Sequence, residues 1–161
     1  MGPPRNPHDP GEPDLGVLLG LAYGSFVELL HAELRAKGFE DVRGTYGYVF
    51  RALAEGPLSI SALASRLQIT TQGVTKLANE MEEAGYVQRH GDPDDARVKT
   101  LTLSERGSRA LAAARKFHRN YERKLIEVLG ERNVQQLRAA LGHIVQSHAG
   151  EPAGQRAIRP F

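Results

Sequence analysis

Thr70, Thr71, Gln72, Thr75 and Lys76 place three hydroxyls, a carboxamide and an ammonium within seven residues. These groups form hydrogen bonds to a partner rather than covalent bonds: Gln72 can pair bidentately with an adenine edge, Thr71 or Thr75 can touch a thymine methyl, and Lys76 can reach guanine or phosphate. A capped, solvated helix start explains the same residues without any partner. Formal charge over the 161 residues is only +2, too small to name a polyanionic partner. Its distribution says more: between 86 and 124, ten basic side chains (among them Arg89, Arg97 and Lys99) stand against five acidic ones. That is the footprint of a nucleic-acid face, although Arg115, Lys116, Arg119 and Arg123 at helical spacing also fit a solvated helix surface.

Other chemistries are poorly served. The chain has no Cys, which excludes disulfides, thiolate metal sites, a nucleophilic Cys and thiol-based switching. It has no Gly-rich phosphate loop, no H-E-x-x-H and no G-x-S-x-G, so we expect no enzyme, no cofactor and no metal site. His118 and Glu122 at i, i+4, with His31 elsewhere, are the only hint of a metal-responsive variant. The longest uncharged run, Leu15 to Val27, is short for a bilayer span, and the N-terminal segment lacks the basic leader of a signal peptide, so no membrane is expected and the cytoplasm is the expected location.

The elements that must position these residues follow from periodicity. A Pro-rich arm is expected over 1–13 and a flexible tail over 149–161. After Asp14 as N-cap, Leu15, Leu18, Leu19, Ala22, Phe26, Leu29, Leu30 and Leu34 mark a helix ended by Gly38, with Gly16, Gly20 and Gly24 forming a small-residue ridge open to close approach by another element. A second helix is predicted from Asp41 to Glu55, with Val42, Tyr46, Val49, Phe50 and Leu53 inward. Ser59 caps a short helix (Ile60, Leu63, Ala64 and Leu67 inward), Gln68-Ile69 make a tight turn, and Thr70 caps a helix facing inward through Val74, Leu77, Ala78 and Met81 and closed by Gly85. The outward face of that helix is then Thr71, Gln72, Thr75, Lys76 and Asn79. Strands are predicted at Tyr86–Arg89 and Val98–Leu103 around the turn HGDPDDA. Ser104 caps a long helix carrying Leu111, Ala114, Phe117, Tyr121, Leu125 and Val128, and a last helix carries Val134, Leu137, Leu141, Ile144 and Val145.

A β-hairpin after a helix-turn-helix makes a winged helix, so the predicted fold is mainly α with a small β-wing. The predicted organisation is a dimerisation helix over 14–40, a winged helix-turn-helix DNA-binding domain over 41–103 and dimerisation helices over 104–148, because amphipathic flanking helices leave apolar faces that one small domain hardly covers. The sequence resembles the MarR (multiple antibiotic resistance regulator) transcription factors over about 15–148. Asp92-Pro93-Asp94-Asp95-Ala96-Arg97 fits that family's D-x-[RD]-D-x-R wing pattern, and Leu103-Ser104-Glu105-Arg106-Gly107 fits its L-[TS]-x-x-G. Two departures stand out. Gln68 occupies a turn position usually held by Gly, so it must accept positive φ or the turn must differ, and Ala96 replaces a frequently basic residue.

The resemblance implies a homodimer that lays the helix beginning at Thr70 in the major groove of double-stranded DNA and pushes the wing into the minor groove. Arg97 would insert there, held in direction by Asp95, while Arg89 and Lys99 would touch phosphate. It implies repression as the default, a pseudo-palindromic operator with half-sites about one helical turn apart, and release by a small aromatic or phenolic effector, for which Tyr23, His31, Tyr46 and Tyr48 are candidate contacts. The alternative from another class is a winged-helix, dimeric protein-interaction module; a polar face over 71–79 argues for DNA, an apolar one for protein.

Overall fold

The computed structural model describes residues 13–91 and 99–147. The arm before Pro13, the wing tip with Asp95 and Arg97, the start of the second predicted strand at Val98, and the tail from 148 lie outside the described residues. Six helices and three short strands follow in the order α1 (Leu15–Ala36), α2 (Tyr46–Leu53), β1 (Leu58–Ser59), α3 (Ile60–Leu67), α4 (Thr71–Glu83), β2 (Val87–Gly91), β3 (Lys99–Leu103), α5 (Glu105–Leu129) and α6 (Glu131–Ser147) among those residues. The predicted mainly helical fold with a β-wing is the one observed.

The core lies in the winged-helix segment. Val49, Phe50, Leu63, Val74, Met81, Tyr86, Val87 and Leu101 are almost wholly buried, each side chain the size of Val or larger contributing about 1.5–3 kcal/mol of burial. Tyr46, Phe50 and Tyr86 pack edge to face with ring centroids 5.6–6.3 Å apart. The sheet order is β1-β3-β2, all antiparallel, with Val87 opposite Leu103 and Gly91 opposite Lys99.

Several boundaries differ from the sequence reading. The second helix starts at Tyr46, not Asp41, because residues 41–45 close turns around Gly44, the Tyr46 N–H reaching back to the Arg43 carbonyl at 3.0 Å. The first wing strand runs Val87–Gly91 rather than Tyr86–Arg89. Tyr86 is drawn into the core and its N–H closes the end of α4 on the Met81 carbonyl at 2.8 Å, while His90 and Gly91 extend the ladder instead of belonging to the turn. Leu58 and Ser59 add a strand that periodicity could not show, and Ser59 still caps α3 by accepting from the Ala62 N–H at 3.1 Å. Asp14 is the N-cap of α1 but its side chain makes no capping bond.

α1 packs on α5 through Phe26, whose ring lies 5.6 Å from Phe117 and 5.0 Å from Tyr121. Its N-terminal half is left bare among the described residues: Leu15 is 68% exposed, Leu18 47% and Leu19 38%, so there the expected inward stripe meets no other described element. Among the described residues, no atom from outside the helix backbone lies within 4 Å of where a Cβ would stand at Gly16, Gly20 or Gly24. By length and composition α1 is also apolar enough to cross a membrane, which the uncharged run alone did not suggest.

Candidate nucleic-acid interface

The end of α3 and the start of α4 set the exposed polar face expected from the sequence. Gln68 takes the left-handed conformation, φ 55° and ψ 39°, so of the two possibilities open for the non-Gly residue the backbone adopts the costlier one and keeps the tight turn. Thr70 then caps α4, its Oγ1 accepting from the Gly73 N–H at 3.1 Å. Val74, Ala78 and Met81 are buried, and the same 3.6-residue period leaves Thr71, Gln72, Thr75, Lys76 and Asn79 exposed. Thr75 donates its hydroxyl to the Thr71 carbonyl at 2.8 Å, which leaves its methyl as the group for contact. The N-terminal turn of α4 carries no acidic residue, so its dipole stays available to an anion.

Behind this face, Arg89 is not free. Its Nη1 lies 2.8 Å from Glu82 and its Nη2 donates to Asn79, so it ties β2 to the outer side of α4 and engages one residue expected to point at a partner. Lys99 is exposed on β3 opposite Gly91, at the base of the wing. Asp95 and Arg97 lie outside the described residues.

A cavity of about 240 Å³ lies between α1, α2 and α5. Tyr23, His31 and Tyr48 line it together with Phe26, Arg51 and His118, and no carboxylate belongs to its lining among the described residues. Tyr46 does not line it; it is buried in the core against Phe50 and Tyr86, since its position on α2 points it to the opposite side from Tyr48. Burial, and then Arg51, holds the His118 imidazole below its usual range, and burial, then Arg35, does the same for His31. Burial, then neighbouring Tyr48, raises the Tyr23 phenol. Arg51 and His118 meet across the cavity wall at 3.3 Å. Periodicity did not single them out because Arg51 sits on the flank of α2 and His118 beside the apolar stripe of α5; only packing shows that both flanks face one space. Glu122 pairs with Arg138 rather than with His118, and no group of three potential metal ligands gathers among the described residues.

Comparison with known proteins matches residues 40–98 to the MarR family. The exopolysaccharide II synthesis transcriptional activator ExpG of Rhizobium meliloti is 29% identical over 112 residues, 70% of this chain and 58% of ExpG, so the chain spans less than two thirds of that relative. Among solved structures, FabT of Streptococcus pneumoniae in complex with DNA superposes with a TM-score of 0.73 at 21% identity, covering 84% of this chain and 95% of FabT. A MepR–DNA complex from S. aureus gives 0.66 at 22% identity over 84% and 99% of the two chains. At these identities the structures share the fold.

Proposed function

We propose that this chain, whose residues 40–98 match the MarR family, is a transcriptional regulator that binds double-stranded DNA as a homodimer on a pseudo-palindromic operator. The observation that carries this reading is the exposed face of α4, where Thr71, Gln72, Thr75 and Lys76 are all polar and no large apolar side chain interrupts them. A protein-docking face would show an apolar patch there. In this reading Thr70 orients the helix start, Thr71, Gln72, Thr75 and Lys76 read base edges or phosphate, and Lys99 holds phosphate at the wing base. Arg97 enters the minor groove with Asp95 steering it. Arg89, committed to Glu82 and Asn79, positions the wing against α4 and reaches phosphate only through its remaining edge.

Support for the homodimer is the bare apolar surface of α1 and of the far ends of α5 and α6, where Val128 is 81% and Val145 74% exposed. The cavity beside His31, Tyr48 and Tyr23 is the place for a small aromatic or phenolic effector. Apolar walls would take the ring, and Arg51 and Arg115 at the lining would offset a phenolate or carboxylate. Such a ligand acts only if it binds better to a dimer whose two heads misfit the operator. The setting is the cytoplasm, where the DNA is. Repression follows where the operator overlaps a promoter; ExpG is named an activator, so transcription from an operator-bearing promoter with and without the protein decides the sign.

The test titrates wild type and Arg97→Ala against a pool of random duplexes at low and moderate salt and sequences the bound fraction. Wild type should enrich a palindrome with half-sites about 10–10.5 bp apart, bind more weakly as salt rises, and lose roughly tenfold or more with Arg97→Ala, in line with about 1–3 kcal/mol per specific contact. A wild type that enriches no sequence and shows no salt-dependent binding overturns the proposal in favour of the protein-interaction module.

A further inference from the structure

Arg106 occupies a variable position of the L-S-E-R-G stretch, and nothing in the DNA-reading scheme uses it. Its side chain nevertheless collects more partners than any other cation among the described residues. One nitrogen, Nη2, donates to the Gly38 carbonyl at 3.2 Å and to the Tyr86 hydroxyl at 3.3 Å, and lies 3.7 Å from Asp41 Oδ2. The guanidinium carbon stands 4.9 Å from the Tyr86 ring centroid and 5.6 Å from that of Phe39. Its Nε is buried without a hydrogen-bond partner among the described residues, so the group is held where it is by the rest of the network.

The partners belong to two different parts of the molecule. Gly38, with φ 81°, ends α1; Phe39 packs into the core and returns its N–H to the Leu34 carbonyl at 3.0 Å; Asp41 lies in the connection to α2. Tyr86 is the fully buried root of the wing, directly after α4. Arg106 itself stands in the first turn of α5, which is fastened to that root. Ser104 Oγ donates to the Gly85 carbonyl at 2.6 Å, and Gly107 approaches the Tyr86 carbonyl so closely that an added Cβ would stand 2.1 Å from its oxygen. The remaining ties between α1 and the winged helix are of other kinds. Leu34 of α1 is buried in the core and Phe26 meets α5 through ring packing, both apolar contacts without a directional bond, and in the connection after α1 Arg43 pairs with Glu80 at 2.8 Å while 67% exposed, a solvated pair of weak hold. A planar fork stacked on two rings fixes direction as well as distance.

We propose that Arg106 is a positioning residue for DNA binding: it sets the orientation of the winged helix on α1 and thereby the separation of the two reading heads in the dimer. This rests on the regulator reading above. The test uses the full chain with Arg106→Met, which keeps the stem but removes every donor, and Arg106→Lys, which keeps the charge but not the fork.

Because the sequence has no Cys, Glu28→Cys on α1 and Glu83→Cys on α4 offer the only two spin-label sites in a chain. Dilution with unlabelled protein restricts the measured distance to one chain. The Arg106 background should give one narrow distance, Arg106→Met a broadened or shifted one, and Arg106→Lys an intermediate. On DNA, Arg106→Met should lose roughly tenfold on a palindrome of preferred spacing, within the usual range of coupling between sites. It should keep its affinity for a single half-site and tolerate altered spacing better than wild type.

An unchanged distance distribution in both variants overturns the proposal, as does an equal loss on half-site and palindrome, which marks a purely structural role. Should Arg106→Met fail to melt cooperatively, Arg106→Lys carries both measurements. A wild type that binds no duplex removes the regulator reading and the DNA role of Arg106 together, whereas a failure confined to the variants removes the proposal alone.

Discussion

The winged-helix head and the long-helix end of this chain solve the burial problem in opposite ways. In the head, about sixty residues close a core in which Tyr86, Leu63, Val74 and Met81 are essentially sealed and polar groups at the element ends find partners: Thr70 with Gly73, Ser59 with Ala62, Ser104 with Gly85 and Gly107. At the helical end, α1, α5 and α6 are longer and more regular, yet Leu15, Leu21, Val128 and Val145 face outward. Length of helix is therefore no measure of self-sufficiency. A short helix in a sheet-backed head can bury its whole face, whereas a helix of 22 or 25 residues outruns what the described residues cover.

The contrast can be broken most forcefully at Gly107. Gly107→Ala drives a methyl into the Tyr86 carbonyl, backbone that has little room to yield, and should cost about 3 kcal/mol or more, lowering the melting temperature on the order of 10 °C by calorimetry. An unshifted melt would show that the head is looser than its packing indicates. Next in size is Leu18→Glu on the bare half of α1. It should leave the cooperative melt of the head in place while weakening self-association by about 2 kcal/mol, visible as monomer in sedimentation velocity. If the wild type instead partitions into lipid vesicles, the apolar length of α1 serves a membrane rather than a second copy of the chain.

A smaller effect is expected from pH, at the seam between the two regions. His118 and His31 have depressed imidazole pKa values in the fold, so on acidification the unfolded chain takes up protons first. Their stabilising contribution is complete above about pH 6.5 and is lost as pH falls toward the lowered folded values. Thermal melts from about pH 7.5 to about pH 5.5 should therefore decline, and His118→Gln, which keeps a hydrogen-bonding group for Arg51, should flatten part of that decline; an unaltered slope would place the titration elsewhere. The smallest change is Gln68→Gly, which relieves a left-handed non-Gly residue at the cost of added freedom in the unfolded chain. A net gain of under about 1 kcal/mol should appear as a slightly higher urea midpoint.

Much of the head was legible before any coordinates. Ser59, Thr70 and Ser104 declare helix starts because capping is local chemistry, completed within three residues, and the inward residues of α3 and α4 follow from a single period. The polar face of α4 was legible by subtraction, as whatever that period leaves out. The start of α2 was misjudged because Val42 keeps the helical spacing of Val49 while sitting in a turn: it packs against the core from there, and spacing alone cannot separate the two cases. Tyr46 and Tyr48 are both aromatic candidates for an effector, but the period that sets Tyr46 inward with Val49, Phe50 and Leu53 puts Tyr48, two positions on, on roughly the opposite side; that a cavity lies there depends on where α1 and α5 lie. Arg89 read as a free cation because its partners, Asn79 and Glu82, stand on another element.

By itself the sequence determined the order of the six helices and the two wing strands, the caps at Ser59, Thr70 and Ser104, the tight turn at Gln68-Ile69 and the polarity of the outer face of α4, since each depends on interactions within a few residues or on a repeat period. Tertiary structure alone decided that Arg51 and His118 share a cavity wall, that Arg89 is bound to α4, and that Arg106 joins the end of α1 to the root of the wing. Those pairings span from 7 to 68 residues of chain, and no local propensity encodes which of many distant side chains will meet, because that choice is made by the packing of whole elements against one another.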